Sequence, residues 1–204
     1  MTNLFDGDSS ASDTFLFLPS RAGAAALSEF QRRNQTPFRV RWGEPTLDNY
    51  LVPMVPGDLT ALIARPGMGK TSAAIHLARA ANTQLVDCGD ETGYVVYITW
   101  ETLVEEFVAI LNAKRSQVSL KDIGRGNADI SKLESAIASS IDERIAVVGM
   151  SIATQEQDRR ERRMPTLSEV DSVLWEMRDL GITPSLLIFD YLQRIPASDP
   201  HKDR

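Results

Sequence analysis

The sequence predicts an α/β fold with a mainly parallel sheet flanked by helices. Apolar, β-rich runs alternate along the chain with segments of helical periodicity, and these runs are apolar at consecutive rather than alternate positions. Strands that are buried on both faces have this composition, because helices cover both sides of a parallel sheet. The predicted strands are residues 59–63, 94–99, 145–148 and 186–190.

The helices between these strands have their own local signals. Thr166 and Glu169 have the spacing of a capping box, which opens a helix, and Gly181 is placed to end that helix. The other helical segments are identified by good helix formers or by an apolar stripe at helical spacing. Together the predicted helices of the sheet domain cover residues 72–81, 103–111, 130–141 and 167–177.

Composition limits the classes of protein to consider. The chain has 204 residues, of which 43% are hydrophobic and 25% are charged, so it can form one substantial core. It has no apolar stretch long enough to span a bilayer, and its first residues are polar and acidic, so we expect a cytoplasmic protein without membrane contact. A net charge of −6 argues against broad electrostatic binding of nucleic acid, although a localised site stays open. One cysteine and two distant histidines predict neither a disulfide nor a metal cluster.

The motif with the clearest chemistry lies at residues 64–72, between a predicted strand and a predicted helix, and reads Ala-Arg-Pro-Gly-Met-Gly-Lys-Thr-Ser. In such a loop the backbone N–H groups surround a polyphosphate, the lysine reaches the outer phosphates, and the threonine hydroxyl ligates Mg²⁺. The alternative is an ordinary turn with a solvated Lys70, but the flanking strand and helix favour a phosphate loop. The expected phosphate-binding residues are Arg65, Pro66, Gly67, Met68, Gly69, Lys70, Thr71 and Ser72.

A second signal is the apolar run that ends in Asp190. A buried parallel strand would deliver this carboxylate to the carboxyl edge of the sheet. An acid in that position organises Mg²⁺ in P-loop nucleotide hydrolases. We therefore expect Thr71 and Asp190 to hold the metal.

Many P-loop ATPases place the glutamate that activates water directly after the strand acid, but in this chain Tyr191 follows Asp190. The water-activating acid must therefore come from elsewhere. Glu101 follows the predicted strand 94–99 and should lie on the same sheet edge, which is the RecA-like arrangement. The alternative is that Glu101 serves only as an acid in the first turn of the next helix. The rival acids lie in a glycine-containing loop and are expected to be solvated; they are Asp87, Asp90 and Glu91.

Taken in order, these motifs resemble the ATPase core of DnaB-type replicative helicases. The resemblance rests on residues 64–71, 99–101 and 189–193, and it extends from about Gly43 to about Ile195. It implies a RecA-like fold, ATP and Mg²⁺ as cofactors, a hexameric ring, and translocation on single-stranded DNA. By position it implies that Lys70 and Thr71 bind phosphate and Mg²⁺, that Glu101 activates water, and that Asp190 supports the metal.

The chain also departs from the family pattern. Trp100 replaces an aliphatic residue, and Thr102 and Leu103 replace Met-Ser, so the surroundings of Glu101 could differ. The chain ends soon after Asp190, whereas the family carries further strands, DNA-contacting loops and an arginine that completes the neighbouring site. We therefore expect an incomplete domain with weak or absent hydrolysis on its own. The alternatives are a RecA-like or KaiC-like ATPase, or a nucleotide-dependent assembly switch that does not unwind DNA.

The predicted organisation has two parts. Residues 1–45 form an N-terminal extension with a linker helix at about 20–33, and residues 46–204 form the nucleotide-binding domain. A basic cluster in the second part has two interpretations, either a solvated loop or a contact with a phosphate backbone or another subunit. The cluster consists of Arg159, Arg160, Arg162 and Arg163.

Overall fold

The computed structural model describes residues 19–140, 143–152 and 164–196, and these contain a three-stranded parallel sheet. Its strands are β1 (Gly93–Thr99), β2 (Ile145–Val148) and β3 (Thr183–Asp190). The spatial order is β2-β1-β3, and both neighbours of β1 run parallel to it. The predicted parallel α/β architecture is confirmed, and three of the four predicted strands form.

Helices account for most of the remaining regular structure. In chain order they are α1 (Pro19–Gln35), α2 (Pro45–Asp48), α3 (Lys70–Asp87), α4 (Val104–Ser116), α5 (Leu120–Gly124), α6 (Ile130–Ala138) and α7 (Leu167–Asp179). A short 3₁₀ turn, Leu192–Arg194, follows β3. Among the described residues, no helix combines the length and apolarity needed to cross a membrane.

The fold has two compact units that divide between Pro37 and Phe38. The first unit contains α1, which spans the segment predicted as a linker helix. Within α1, Arg32 and Arg33 each donate from Nε to the Glu29 carboxylate, at 2.7 and 2.8 Å. The hydrogen bond from Arg32 is the main cause that lowers the pKa of Glu29 to about 2. These pairs support the last turn of the helix locally.

In the second unit, the pairing of β1 with β3 defines two apolar faces of the sheet. Tyr97 lies opposite Ile188, and Ile98 lies opposite Phe189. Because successive side chains point to opposite sides of a strand, these two pairs belong to different faces. One face packs on α3 and α4 through Leu77, Ala78, Ala81, Leu85, Val95, Tyr97, Phe107 and Leu111. The other face packs on α7 through Val96, Ile98, Trp100, Val170 and Met177.

The ends of α6 and α7 follow from local side-chain chemistry. Glu169 N donates to Thr166 Oγ1 at 3.3 Å, and Thr166 N donates to Glu169 Oε2 at 2.9 Å, which confirms the predicted capping box. Gly181 follows α7 with a φ of +79°, a left-handed conformation that suits glycine. The helix predicted for 130–141 ends earlier, at Ala138. There the hydroxyls of Ser139 and Ser140 donate to helix carbonyls and cap the last turn.

The strand predicted for residues 59–63 is wrong: this segment has no regular secondary structure. Leu59 is 98% exposed and Ile63 is 89% exposed, although both belong to the apolar run. A strand requires a neighbour that takes up its backbone N–H and C=O groups. Within the described residues, no strand or bridge pairs with residues 59–63, and β3 pairs only with β1. Hydrophobicity alone therefore did not place this run in the sheet.

Candidate functional site

The predicted phosphate loop is a sharp turn at the start of α3. Gly67 has a φ of +76° and Gly69 a φ of +84°, and Met68 N donates to Arg65 O at 3.3 Å. A Cβ atom built on either glycine meets nothing within 4 Å. The glycines are therefore required by backbone conformation rather than by crowding. Gly69 is the residue directly before α3, so the turn delivers the chain into the first helical turn.

Lys70 spans this loop. Its Nζ atom donates to Ala64 O at 3.2 Å and to Arg65 O at 3.4 Å. Thr71 lies in the same first turn of α3 and is half-buried. The first N–H groups of a helix have no carbonyl partner inside the helix, and together they carry a partial positive charge. An ammonium group, a hydroxyl and a helix N-terminus thus lie together at this loop, an arrangement that suits an anion.

Asp190 is buried at the end of β3, with 4% of its surface exposed. Tyr97 OH donates to Asp190 Oδ2 at 2.7 Å, and Trp100 N donates to the Asp190 carbonyl at 3.0 Å. Burial raises the pKa of Tyr97 far above its usual value, and the hydrogen bond to Asp190 raises it further. The phenol therefore stays protonated and acts as a donor to the carboxylate.

Topology directs Asp190 and the loop toward the same side of the sheet. Asp190 shares the face of Ile188, which packs against the core that includes α3. Residues 88–92 link the end of α3 to the start of β1, so α3 runs back along the sheet. Its first turn, with Lys70 and Thr71, therefore points toward the edge where β1 and β3 end.

The loop after β1 is organised by the buried hydroxyl of Thr99. Thr99 Oγ1 donates to Thr102 O at 3.1 Å and accepts from the backbone N–H groups of Thr102 at 3.0 Å and Glu101 at 3.4 Å. Next to it, Trp100 Nε1 donates to Pro165 O at 2.7 Å, and the indole stacks on Phe189 with ring centroids 5.9 Å apart. These contacts hold the backbone of Glu101 at the carboxyl edge, with its side chain exposed.

The acids in the first turn of α4 are Glu105 and Glu106, whereas Glu101 lies before the helix. Leu103 precedes α4, and its N–H donates to Glu106 Oε2 at 3.4 Å, so Glu106 contacts the backbone at this helix start. Glu105 in turn accepts from Ser151 Oγ and, at 3.0 Å, from Ile152 N. Glu101 lies before α4 and takes no part in these contacts.

The three rival acids lie at the other end of β1. Asp90 Oδ1 accepts from Gly93 N at 2.7 Å and from Thr92 N at 3.1 Å, so it caps the start of the strand. Glu91 lies in the same connection, whereas Asp87, which is predicted to lie in the loop, is the last residue of α3. The length of β1, about 20 Å, separates these acids from the edge that carries Asp190 and Glu101.

The structure adds two residues that the sequence did not single out. Tyr97 contacts Asp190, and Arg194 Nε donates to Tyr191 OH at 3.0 Å. That bond, followed by weaker electrostatic effects that include the Glu101 carboxylate, raises the pKa of Arg194. The alternation of side chains along β1 predicts the face on which Tyr97 lies. Its contact with Asp190, however, depends on the register between β1 and β3. The predicted basic cluster at residues 159–163 lies outside the described residues.

The donor set fits Mg²⁺ bound together with a polyphosphate. Among the described residues there is no group of three or more His, Cys, Asp or Glu that could hold a metal. Mg²⁺ commonly takes one or two protein ligands and completes its octahedron with waters and phosphate oxygens. Thr71 and Asp190 supply a hydroxyl and a carboxylate. Within the described residues, a donor reaches only Oδ2 of Asp190, so Oδ1 is available as a ligand.

Comparisons with known proteins agree with this architecture. A solved structure of an ATPase domain is similar to this chain with a TM-score of 0.60 at 17% sequence identity. The match covers 91% of this chain and 61% of that one, and it shows a RecA-like ATPase fold. A comparison with curated proteins gave no significant match. The family model for the DnaB-like helicase C-terminal domain matches residues 40–204, so the chain belongs to this family.

Proposed function

We propose that this chain binds ATP with Mg²⁺ and provides the hydrolytic centre of a DnaB-like helicase. The observation that carries the proposal is the position of Lys70 across the glycine loop at the start of α3. The first turn of α3 is directed to the sheet edge where Asp190 and Glu101 lie. The family match supports the same assignment.

The geometry supports a proposed role for each of these residues. The backbone from Arg65 to Ser72 would surround the phosphates, and Lys70 Nζ would exchange two loop carbonyls for phosphate oxygens. Thr71 and Asp190 would hold Mg²⁺, which when bound neutralises phosphate charge. Glu101 would accept a proton from the attacking water. Its exposure at the carboxyl edge allows access to solvent.

Assembly and DNA binding are proposed from the family alone. A hexameric ring would translocate on single-stranded DNA, with most DNA contacts made by parts of the family fold outside these residues. Residues 46–204 would be the nucleotide-binding domain, and α1, within residues 1–45, would be a linker helix that docks on a neighbouring subunit. A cytoplasmic location and the absence of membrane contact are part of the same proposal.

Lys70→Ala tests the nucleotide site. We expect at least about 30-fold weaker binding, because the change removes the one ammonium that spans the loop. The measurement is equilibrium titration of a fluorescent ATP analogue with Mg²⁺. Lys121→Ala is the matched control, since Lys121 is an exposed lysine of α5. Equal affinities for Lys70→Ala and the wild type would contradict the phosphate-loop assignment.

ATP turnover and mass in solution separate the proposed helicase from a nucleotide-dependent assembly switch. These measurements use the assembled protein with and without single-stranded DNA. Turnover that DNA stimulates in a ring would support the helicase. Nucleotide-dependent assembly without turnover would favour an assembly switch instead.

A further inference from the structure

We propose that Tyr97 is a positioning residue for the metal site: its hydroxyl fixes Oδ2 of Asp190, so that Oδ1 is presented to Mg²⁺. This inference rests on the proposed function, because it assumes that Asp190 holds the metal. It assigns a role to a buried residue in the middle of β1.

The register of the sheet brings the two side chains together. Tyr97 lies opposite Ile188, and Thr99 lies opposite Asp190. Asp190 is two residues beyond Ile188, so it projects from the same face as Tyr97 and is its diagonal neighbour. A tyrosine side chain is long enough to bridge this diagonal, and its hydroxyl lies 2.7 Å from Asp190 Oδ2.

The tyrosine ring is held tightly in the core. Tyr97 is fully buried, and its ring packs on Phe107 with centroids 4.5 Å apart. The ring belongs to the core formed by β1, α3 and α4. The hydroxyl is therefore a fixed donor rather than a flexible one, and it restricts rotation of the Asp190 carboxylate. Contacts of this kind behind a metal ligand commonly change metal affinity by about 10- to 100-fold.

The opposite face of β1 supplies a matched control. Tyr94 lies on the same strand but projects toward the α7 core. Its hydroxyl makes no hydrogen bond among the described residues. Tyr97→Phe and Tyr94→Phe each remove one phenolic oxygen from β1, but only the first removes a contact to Asp190.

The experiment measures the affinity of the 204-residue chain for a fluorescent ATP analogue, first in EDTA and then across a Mg²⁺ titration. For Tyr97→Phe we expect affinity in EDTA within about twofold of the wild type and a Mg²⁺ midpoint about tenfold higher. Tyr94→Phe should leave both values unchanged. In an Asp190→Ala background, Tyr97→Phe should cause no further change, because its effect acts through Asp190.

Each of the following outcomes would overturn the inference. An unchanged Mg²⁺ midpoint in Tyr97→Phe would show that the hydrogen bond does not position the metal ligand. An equal loss of affinity in EDTA would show that Tyr97 supports the fold instead. An effect that persists in the Asp190→Ala background would exclude Asp190 as the intermediary. If the wild type lacks Mg²⁺-dependent binding, the proposed function fails as well, and this result is distinct from the other three.

Discussion

Residues 94–99 and residues 59–63 are both mainly apolar, but their surroundings in the structure differ. Both are apolar runs, and each leads into a loop with residues of the candidate site. Residues 94–99 lie in β1, where Val96 and Ile98 are fully buried. In residues 59–63, Leu59 and Ile63 are almost fully exposed. The comparison shows that an apolar run becomes a buried strand only where the fold supplies its neighbours.

The two loops after these runs are also held by different kinds of contact, long-range in one and local in the other. The loop after β1 is held by long-range contacts, including the bond from Trp100 Nε1 to Pro165 O. The loop after residues 59–63 is shaped by the left-handed Gly67 and Gly69 and by Lys70 bonds to nearby carbonyls. Its turn is therefore local and does not need strand pairing. The three predictions that follow test this contrast with matched variants.

The largest effect is expected at the loop after β1. In the assembled protein, Glu101→Gln should keep ATP affinity and lower turnover by about 10²- to 10⁴-fold, because the amide keeps the shape but cannot accept a proton. Glu91→Gln, at the other end of β1, should keep normal turnover. Steady-state hydrolysis and analogue binding measure both variants. Normal turnover in Glu101→Gln with a loss in Glu91→Gln would mean that the wrong acid is named.

A second pair of variants compares a buried side chain of one run with an exposed side chain of the other. Ile98→Ala should lower the free energy of unfolding by about 2–5 kcal/mol, because it leaves a cavity beside α7. Ile63→Ala should change it by less than about 0.5 kcal/mol, because the side chain is already in solvent. Urea unfolding without nucleotide measures both values. A similar cost for the two variants would show that residues 59–63 are buried in solution.

The smallest effect is expected from removing one hydroxyl. Thr99→Val should lower the free energy of unfolding by about 1–2 kcal/mol, because the N–H groups of Glu101 and Thr102 lose their acceptor. Thr60→Val should stay within about 0.5 kcal/mol, since Thr60 is exposed. The same urea experiment compares them. Equal values would mean that the hydroxyl of Thr99 does not organise the loop.

Much of the fold can be read from the sequence because its signals are local. The capping box of Thr166 and Glu169 and the stop at Gly181 depend on neighbouring residues and form as predicted. The alternation of apolar runs with helical segments predicts the parallel sheet. The roles of Lys70, Thr71, Glu101 and Asp190 stay predictions, although topology directs all four toward one edge of the sheet.

The sequence by itself determined the phosphate-loop motif, five of the seven described helices and the acids at the ends of two strands, because chain spacing and residue type specify them. Only the tertiary structure decided the strand order, the exposure of residues 59–63 and the contact between Tyr97 and Asp190. Those features depend on which strands become neighbours and in what register. Pairing joins residues that are distant along the chain, so the local pattern of apolar and polar side chains does not specify it.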